Sequence, residues 1–158
     1  MSAHLDTRAM PESFELLTEV VTTQQLVRYA GASDDYNRIH YDLPFANEAG
    51  LGGVIAHGML TMGFMARAVT DWAGPRGRVR RIAARFTAPV RPGDVVHVTG
   101  SVLAQTREGE ATVVQCRLSA DVGGRPVSSG EATVVVGRGG VHASRGGVPS
   151  ADSRKAGG

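Results

Sequence analysis

The stretch Asp35-Tyr36-Asn37-Arg38-Ile39-His40-Tyr41-Asp42 gathers carboxylates, a carboxamide and an imidazole into a single bend of chain. Asp35 and His40 are spaced so that a bent loop aims both inward. A carboxylate and an imidazole divide proton donation and acceptance between them when their surroundings separate their pKa values. Asn37, between them, can hold the Asp35 loop or a water without titrating. Asp and Asn also bond their own backbone in ordinary turns, so a purely structural loop is the competing reading, and context has to decide. That context is Ile55-Ala56-His57-Gly58-Met59, a second His beside a Gly at the start of an apolar run.

Gly58 is expected to open a helix. A helix N-terminus carries unpaired N–H groups and the positive end of the macrodipole, which stabilise an oxyanion. A residue without Cβ leaves room for a carbonyl there. An acid–base pair with an oxyanion donor beside an apolar cavity suits chemistry α,β to a carbonyl. In a thioester, a hydrogen-bonded carbonyl acidifies the α-proton, and a β-hydroxyl leaves once protonated. A nucleophilic hydrolase fits less well, because neither motif holds Ser or Cys. Cys116 falls inside an expected strand and reads as core. His40 and His57 have no third ligand at useful spacing, so no metal is implied, and nothing calls for a cofactor.

The elements around these motifs follow from periodicity. Phe14 to Val21 reads as a strand. Thr22-Thr23-Gln24-Gln25 has capping-box form, with Leu26, Tyr29 and Ala30 at helical spacing and Gly31 ending that helix. Pro44 starts a short helix to about Ala49, and Gly50-Leu51-Gly52-Gly53 reads as a flexible hinge. From His57 to Ala73 the pattern is a helix apolar on nearly all sides, hence buried, stopped by Gly74-Pro75. Four alternating sets follow, separated by Gly/Pro turns: Ile82 to Ala88, Val96 to Ala104, Val114 to Ala120 and Ala132 to Val136. Period-two patterning of this kind means an antiparallel sheet. The expected fold is α+β, a curved antiparallel sheet around one long helix. A single unit leaves part of the helix and a sheet edge uncovered, so pairing with a second copy or a homologue is expected.

Composition narrows the classes. The chain of 158 residues, 42% hydrophobic and 20% charged, fits one soluble globular domain. A lone Cys116 excludes an intramolecular disulfide. No signal peptide is recognisable at the N-terminus, and the run from Met59 to Trp72 is broken by Arg67 and Asp71 and too short to span a bilayer; a cytoplasmic protein is expected. The pI of about 9.1 points to nucleic acid only until the charge is located. Residues 137–158 carry a net +3 of the total +2, which leaves the body near −1. The expected division is a flexible segment 1–13, a domain 14–137 and a disordered basic Gly/Ser-rich tail 138–158. Nucleic-acid binding loses its support.

The segment from Tyr29 through Leu60 resembles the hydratase motif of the MaoC-like (R)-specific enoyl-CoA hydratases and bacterial β-hydroxyacyl-carrier-protein dehydratases. Their pattern is Gly-Asp-x-Asn-Pro-aliphatic-His, then Asp two residues on, then Ile-x-His-Gly. Here it stands as Asp34-Asp35-Tyr36-Asn37-Arg38-Ile39-His40, Asp42 and Ile55-Ala56-His57-Gly58. The resemblance implies the hot-dog fold and assigns Asp35 and His40 as the pair that orients the water added at, or lost from, the β-carbon. It also implies Asn37 as their loop partner and the Gly58 amide as oxyanion donor. His57 is expected to orient the loop or cap backbone and is counted among the substrate-binding residues, and Asp42 is expected to fix the loop or cap the helix at Pro44. Asp34 replaces the family's Gly and Arg38 its Pro; both are expected to face solvent or a partner subunit. Without that Pro, rigidity must come from elsewhere.

The implied activity is a hydro-lyase interconverting (R)-3-hydroxyacyl and trans-2-enoyl thioesters of CoA or acyl carrier protein, in fatty-acid, polyhydroxyalkanoate or polyketide metabolism. Met59, Met62 and Phe64 are expected to line the acyl slot. The basic run Arg76, Arg78, Arg80, Arg81 and Arg85 is expected to attract the carrier's negative charge. The alternatives are a hot-dog partner subunit whose chemistry sits on another chain, and a hot-dog thioesterase.

Overall fold

The computed structural model describes residues 10–137. Expectations for residues 1–9 and 138–158, including the basic tail, lie outside them. Strand β1 (Ser13–Leu17) comes first, then helix α1 (Thr23–Ser33), a 3₁₀ turn (Arg38–His40) and helix α2 (Leu43–Glu48). The long helix α3 (Gly58–Ala73) follows, leading through a second 3₁₀ turn (Gly74–Arg76) into β2 (Gly77–Phe86). β3 (His97–Glu108), β4 (Ala111–Val122) and β5 (Arg125–Val136) complete the chain. The sheet order is β1-β3-β4-β5-β2, antiparallel throughout. One sheet wrapped on one long helix is the hot-dog architecture.

Alternation decides what the sheet offers to the helix. Val98, Val114, Cys116, Leu118, Ala120, Ala132 and Val134 are all buried and form one cluster with Leu60, Met65, Ala68, Val69 and Ala73 of α3. Cys116 is core, as expected, and burial raises its thiol pKa to about 11. Gly130 lets the helix approach, because a Cβ there would press on the Ala83 carbonyl oxygen and the Met65 methyl. The Phe14 ring likewise occupies the space over Gly100 and stacks on Trp72, ring centroids 4.8 Å apart. The β4–β5 hairpin turns on Gly123 and Gly124 at φ 57° and 84°, the positive-φ pair that tight hairpins require.

Element bounds differ from the sequence reading: β2 starts at Gly77 rather than Ile82, and β5 at Arg125 rather than Ala132. The regular β1 ladder stops at Leu17 rather than running to Val21, because the Thr18 hydroxyl takes the Val96 N–H at 3.0 Å. Beyond it the backbone bonds are separate ones, from Thr18 N–H to Val96, from Val21 N–H to Asp94 and from Gly93 N–H to Val21. Helix α1 begins as expected, Thr22 Oγ1 accepting the Gln25 N–H at 3.1 Å, but passes Gly31 and ends on Asp34. The hinge Gly50–Gly53 is pinned: the Arg91 guanidinium donates to the carbonyls of Leu51 and Gly53.

His97 fastens three strands together. On β3, its Nε2 lies 3.1 Å from Glu15 of β1 and its Nδ1 3.3 Å from Asp121 of β4. The Glu15 contact, with the nearby Asp121 charge, raises its pKa. Met65, fully buried at the centre of the helix, tests the packing. Met65→Ala should cost about 2–5 kcal/mol, read as a lower urea midpoint with an unchanged m-value.

Candidate active site

The bend is built by caps. Helix α1 stops because Asp34 turns into the left-handed region at φ 56°, its N–H closing back on Ala30. That geometry explains why a glycine fits there. The Asn37 side chain accepts the Ile39 N–H at 3.2 Å and starts the 3₁₀ turn, while its own N–H donates to Asp35 Oδ1 at 3.2 Å. Asp42 caps α2 through the Phe45 N–H at 3.1 Å. It also takes the Arg38 guanidinium at 2.6 Å, a bond that, with the Phe45 amide, lowers its pKa. The Arg38 guanidinium lies 4.5 Å from the Phe45 ring centroid. This clasp, from Arg38 to Asp42 and Phe45, supplies the stiffness a proline would otherwise give. Asp34 and Arg38 are both exposed.

Two chain segments are then joined. The Ile55 N–H donates to the Ile39 carbonyl at 3.2 Å, and His40 Nδ1–H donates to the Ile55 carbonyl at 2.8 Å. With Nδ1 so engaged, Nε2 carries the free lone pair. His40 is 7% exposed; burial, reinforced by neighbouring His57, lowers its pKa against the opposing pull of the Ile55 bond and Asp35. Asp35, by contrast, is exposed.

His57 lies against both. Its ring stacks on His40 at a centroid distance of 3.6 Å, and its Nε2–H donates to the Asp35 carbonyl at 3.1 Å. Tyr29 covers it at 4.9 Å. Its Nδ1 is buried without a hydrogen-bond partner among the described residues.

The ligand-capable atoms of Asp35, His40 and His57 all lie within 4.8 Å of one another. The sequence spacing gave His40 and His57 no third group; the fold supplies Asp35, because the loop doubles back under His57. Each imidazole already gives one nitrogen to a carbonyl, and nitrogen lone pairs lie in the ring planes. Two stacked rings do not aim them at one ion about 2.0–2.1 Å from each. The arrangement suits proton transfer better than metal binding.

A cavity of about 390 Å³ opens at this point, lined by His40, Gly58 and Thr61 and walled by Ile39, Ile55, Phe86, Val90 and Val127. Asp35 adjoins His40 but is not part of the lining. Gly58 heads α3, where the first amides have no intrahelical acceptor. The space a Cβ would take there is filled by the Phe86 ring, 2.9 Å away. Met59, Met62 and Phe64 are not in the lining. Gly58 and Thr61, three residues apart, both border the cavity, whereas Met59 lies about 100° round the helix from Gly58 and is 53% exposed, and Met62 is half-buried outside the lining. Phe64 borders a separate polar hollow beside α1. Thr61, Phe86 and Tyr29 were not singled out as site residues from the sequence; their common signal is only spatial, apart from Thr61 as a polar residue inside an apolar helix.

The MaoC like domain family matches residues 8–123. The chain belongs to the MaoC-like dehydratase family. It is 34% identical over 121 residues to an (R)-specific enoyl-CoA hydratase of Rhodospirillum rubrum, covering 76% of this chain and 83% of that one. It is 33% identical over 123 residues to a 3-hydroxybutyryl-CoA dehydratase of Methylorubrum extorquens, covering 77% of each. Among solved structures, the R-hydratase PhaJ1 of Pseudomonas aeruginosa superposes with a TM-score of 0.67 at 27% identity, over 79% of each chain. The ChsH1-ChsH2 complex of Mycobacterium tuberculosis shares the fold at a TM-score of 0.72 and 21% identity, over 82% of this chain and 99% of that one.

The two perturbed histidines of this family member should titrate in opposite senses. By NMR, His40 should titrate below the ordinary value of about 6.5 and His97 above it. The sign carries into stability. The His40 site loses stability as pH falls below about 6.5, where the unfolded chain binds a proton that the folded one refuses. His97 contributes below that value, and its contribution is lost as pH rises through its elevated folded pKa. Separately, Asp34→Gly should stabilise the fold by up to about 1 kcal/mol in denaturant titration, since the left-handed penalty of ~1–2 kcal/mol is only partly offset by glycine's freedom in the unfolded chain.

Proposed function

We propose that this MaoC-like enzyme adds water reversibly to trans-2-enoyl thioesters, giving (R)-3-hydroxyacyl thioesters. The observation carrying the proposal is the convergence of Asp35 and His40, with ligand atoms within 4.8 Å, beside an apolar cavity that reaches the first residue of α3. One water spans such a gap at ordinary hydrogen-bond lengths.

In hydration, Asp35 orients that water and His40 Nε2 accepts its proton. The oxygen bonds to the β-carbon while the C=C electrons move toward the carbonyl, whose oxygen is held by the Gly58 N–H at the positive end of the helix. The proton then passes from His40 to the α-carbon. Dehydration reverses each step. A buried, neutral imidazole of lowered pKa is ready to accept without first releasing a proton.

The carrier is CoA or acyl carrier protein. The basic run does not form one patch: Arg80 pairs with Glu108 at 2.9 Å, whereas Arg81 and Arg85 share an outer-face hollow of about 520 Å³ with Arg117, a place for carrier charge. No helix among the described residues is long and apolar enough to cross a membrane. A CoA-type substrate and a buried free thiol fit a cytoplasmic setting.

A second hot-dog unit, identical or homologous, completes the enzyme in this reading. Tyr36, Tyr41, Leu43, Met59 and Phe86 are large and exposed, and all belong to the elements around the site. A partner there would cover Asp35 and enclose the water.

Asp35→Asn and His40→Ala should each lower the rate of crotonyl-CoA or enoyl-carrier hydration, followed by absorbance, by about 10²–10⁴-fold. Near-normal turnover in both variants overturns the mechanism. Release of free thiol, detected with a thiol reagent, would mark a thioesterase instead.

A further inference from the structure

Beside the acid–base pair, the hydration chemistry leaves a buried titratable group unused. His57 is 2% exposed, touches both members of the acid–base pair and does not line the substrate cavity. A polar side chain at a helix N-cap ordinarily accepts from a first-turn amide, but His57 makes no side-chain cap bond. Its ring is instead spent elsewhere. One face covers His40 at 3.6 Å with the planes only 24° apart, and the Nε2–H reaches back across the bend to the Asp35 carbonyl.

We propose that His57 is a positioning residue for both halves of the pair: its ring keeps water from one face of His40, and its Nε2–H holds the backbone of Asp35 so that the carboxylate stays within reach of the same water. This rests on the hydratase reading. The two tasks belong to different parts of one side chain, so they can be separated. Asp35 and His57 are the titratable groups acting on His40, with Tyr29 from α1 behind His57. The Arg38–Asp42 pair lies on the exposed side of the turn.

Loss of the stacked ring opens His40 to water, and its pKa returns toward the ordinary value. Loss of the donor with the ring retained keeps the burial that dominates the shift, removes only the smaller influence of the His57 charge, and frees the Asp35 loop. A displaced supporting contact of this kind typically lowers activity by about 10–100-fold. His57→Phe keeps a flat ring and removes the donor. His57→Gln places an amide N–H near the position of the lost Nε2–H and removes the ring.

The test compares the pH profile of kcat/KM and the NMR titration of His40 in the full-length wild type and both variants, with activity normalised to the folded fraction. His57→Phe should keep the acid limb near the wild-type position while kcat falls about 10–100-fold. His57→Gln should keep more of kcat above pH 8 and move the acid limb and the His40 midpoint upward, toward 6.5. A merely structural histidine would lower the melting temperature of both variants yet leave the limb, the midpoint and kcat per folded enzyme unmoved, and that result overturns the proposal. Should His57→Phe fail to fold, His57→Gln decides alone, an unmoved His40 midpoint being the adverse result. A wild-type enzyme silent on every enoyl thioester would instead defeat the hydratase reading, while the His40 titration in His57→Gln still tests the ring.

Discussion

The site depends on one exchange of hydrogen bonds. Ile39 accepts from the Ile55 amide, and the Ile55 carbonyl accepts from His40. These bonds fasten the 3₁₀ turn to the strand-like segment before α3, and the Ala56 amide ties that segment in turn to Val90. The imidazole therefore takes its tautomer and its direction from backbone that is itself held by the body of the protein. A side chain whose orientation is fixed by the main chain loses little freedom when substrate arrives. Without this exchange the polar bend would be an ordinary surface loop.

Most of the architecture could be read from the sequence because burial writes itself as periodicity. β4 alternates cleanly, Val114, Cys116, Leu118 and Ala120 facing the helix, and α3 was visible as a helix apolar on nearly all sides. Boundaries were less legible where a side chain competes with the backbone, as Thr18 does at the end of β1. The end of α1 was misplaced because Gly31 is the usual stop, whereas Asp34 supplies the left-handed residue. The site residues were legible as a set through their resemblance to a known motif. Their mutual placement was not. Nothing in the spacing of Asp35 and His57 says that a backbone carbonyl will meet an imidazole nitrogen, and the hydrophobic stripe could not say which side of α3 borders the cavity.

The two departures from the family pattern show how local geometry can be kept with different chemistry. A left-handed residue is needed after α1, and an aspartate meets that need at some conformational cost. A stiff turn is needed before His40, and where a fused ring is absent a salt bridge over an aromatic face does the work. That clasp is solvent-exposed, so salt screens it. The turn that carries the imidazole has thus become sensitive to ionic strength in a way that a proline would not be.

The bulge between Val79 and Arg81 lies on β2, which closes one side of the sheet. An interrupted border strand cannot template an endless ladder, because any newcomer loses register at Arg80 and only the stretch from Arg81 to Phe86 stays regular. Growth along this border is self-limiting: it admits a closed association and resists a fibril. The same irregularity that disturbs the alternation of arginines along β2 therefore limits this border as a template for added strands, while the opposite border, β1, is only five residues long.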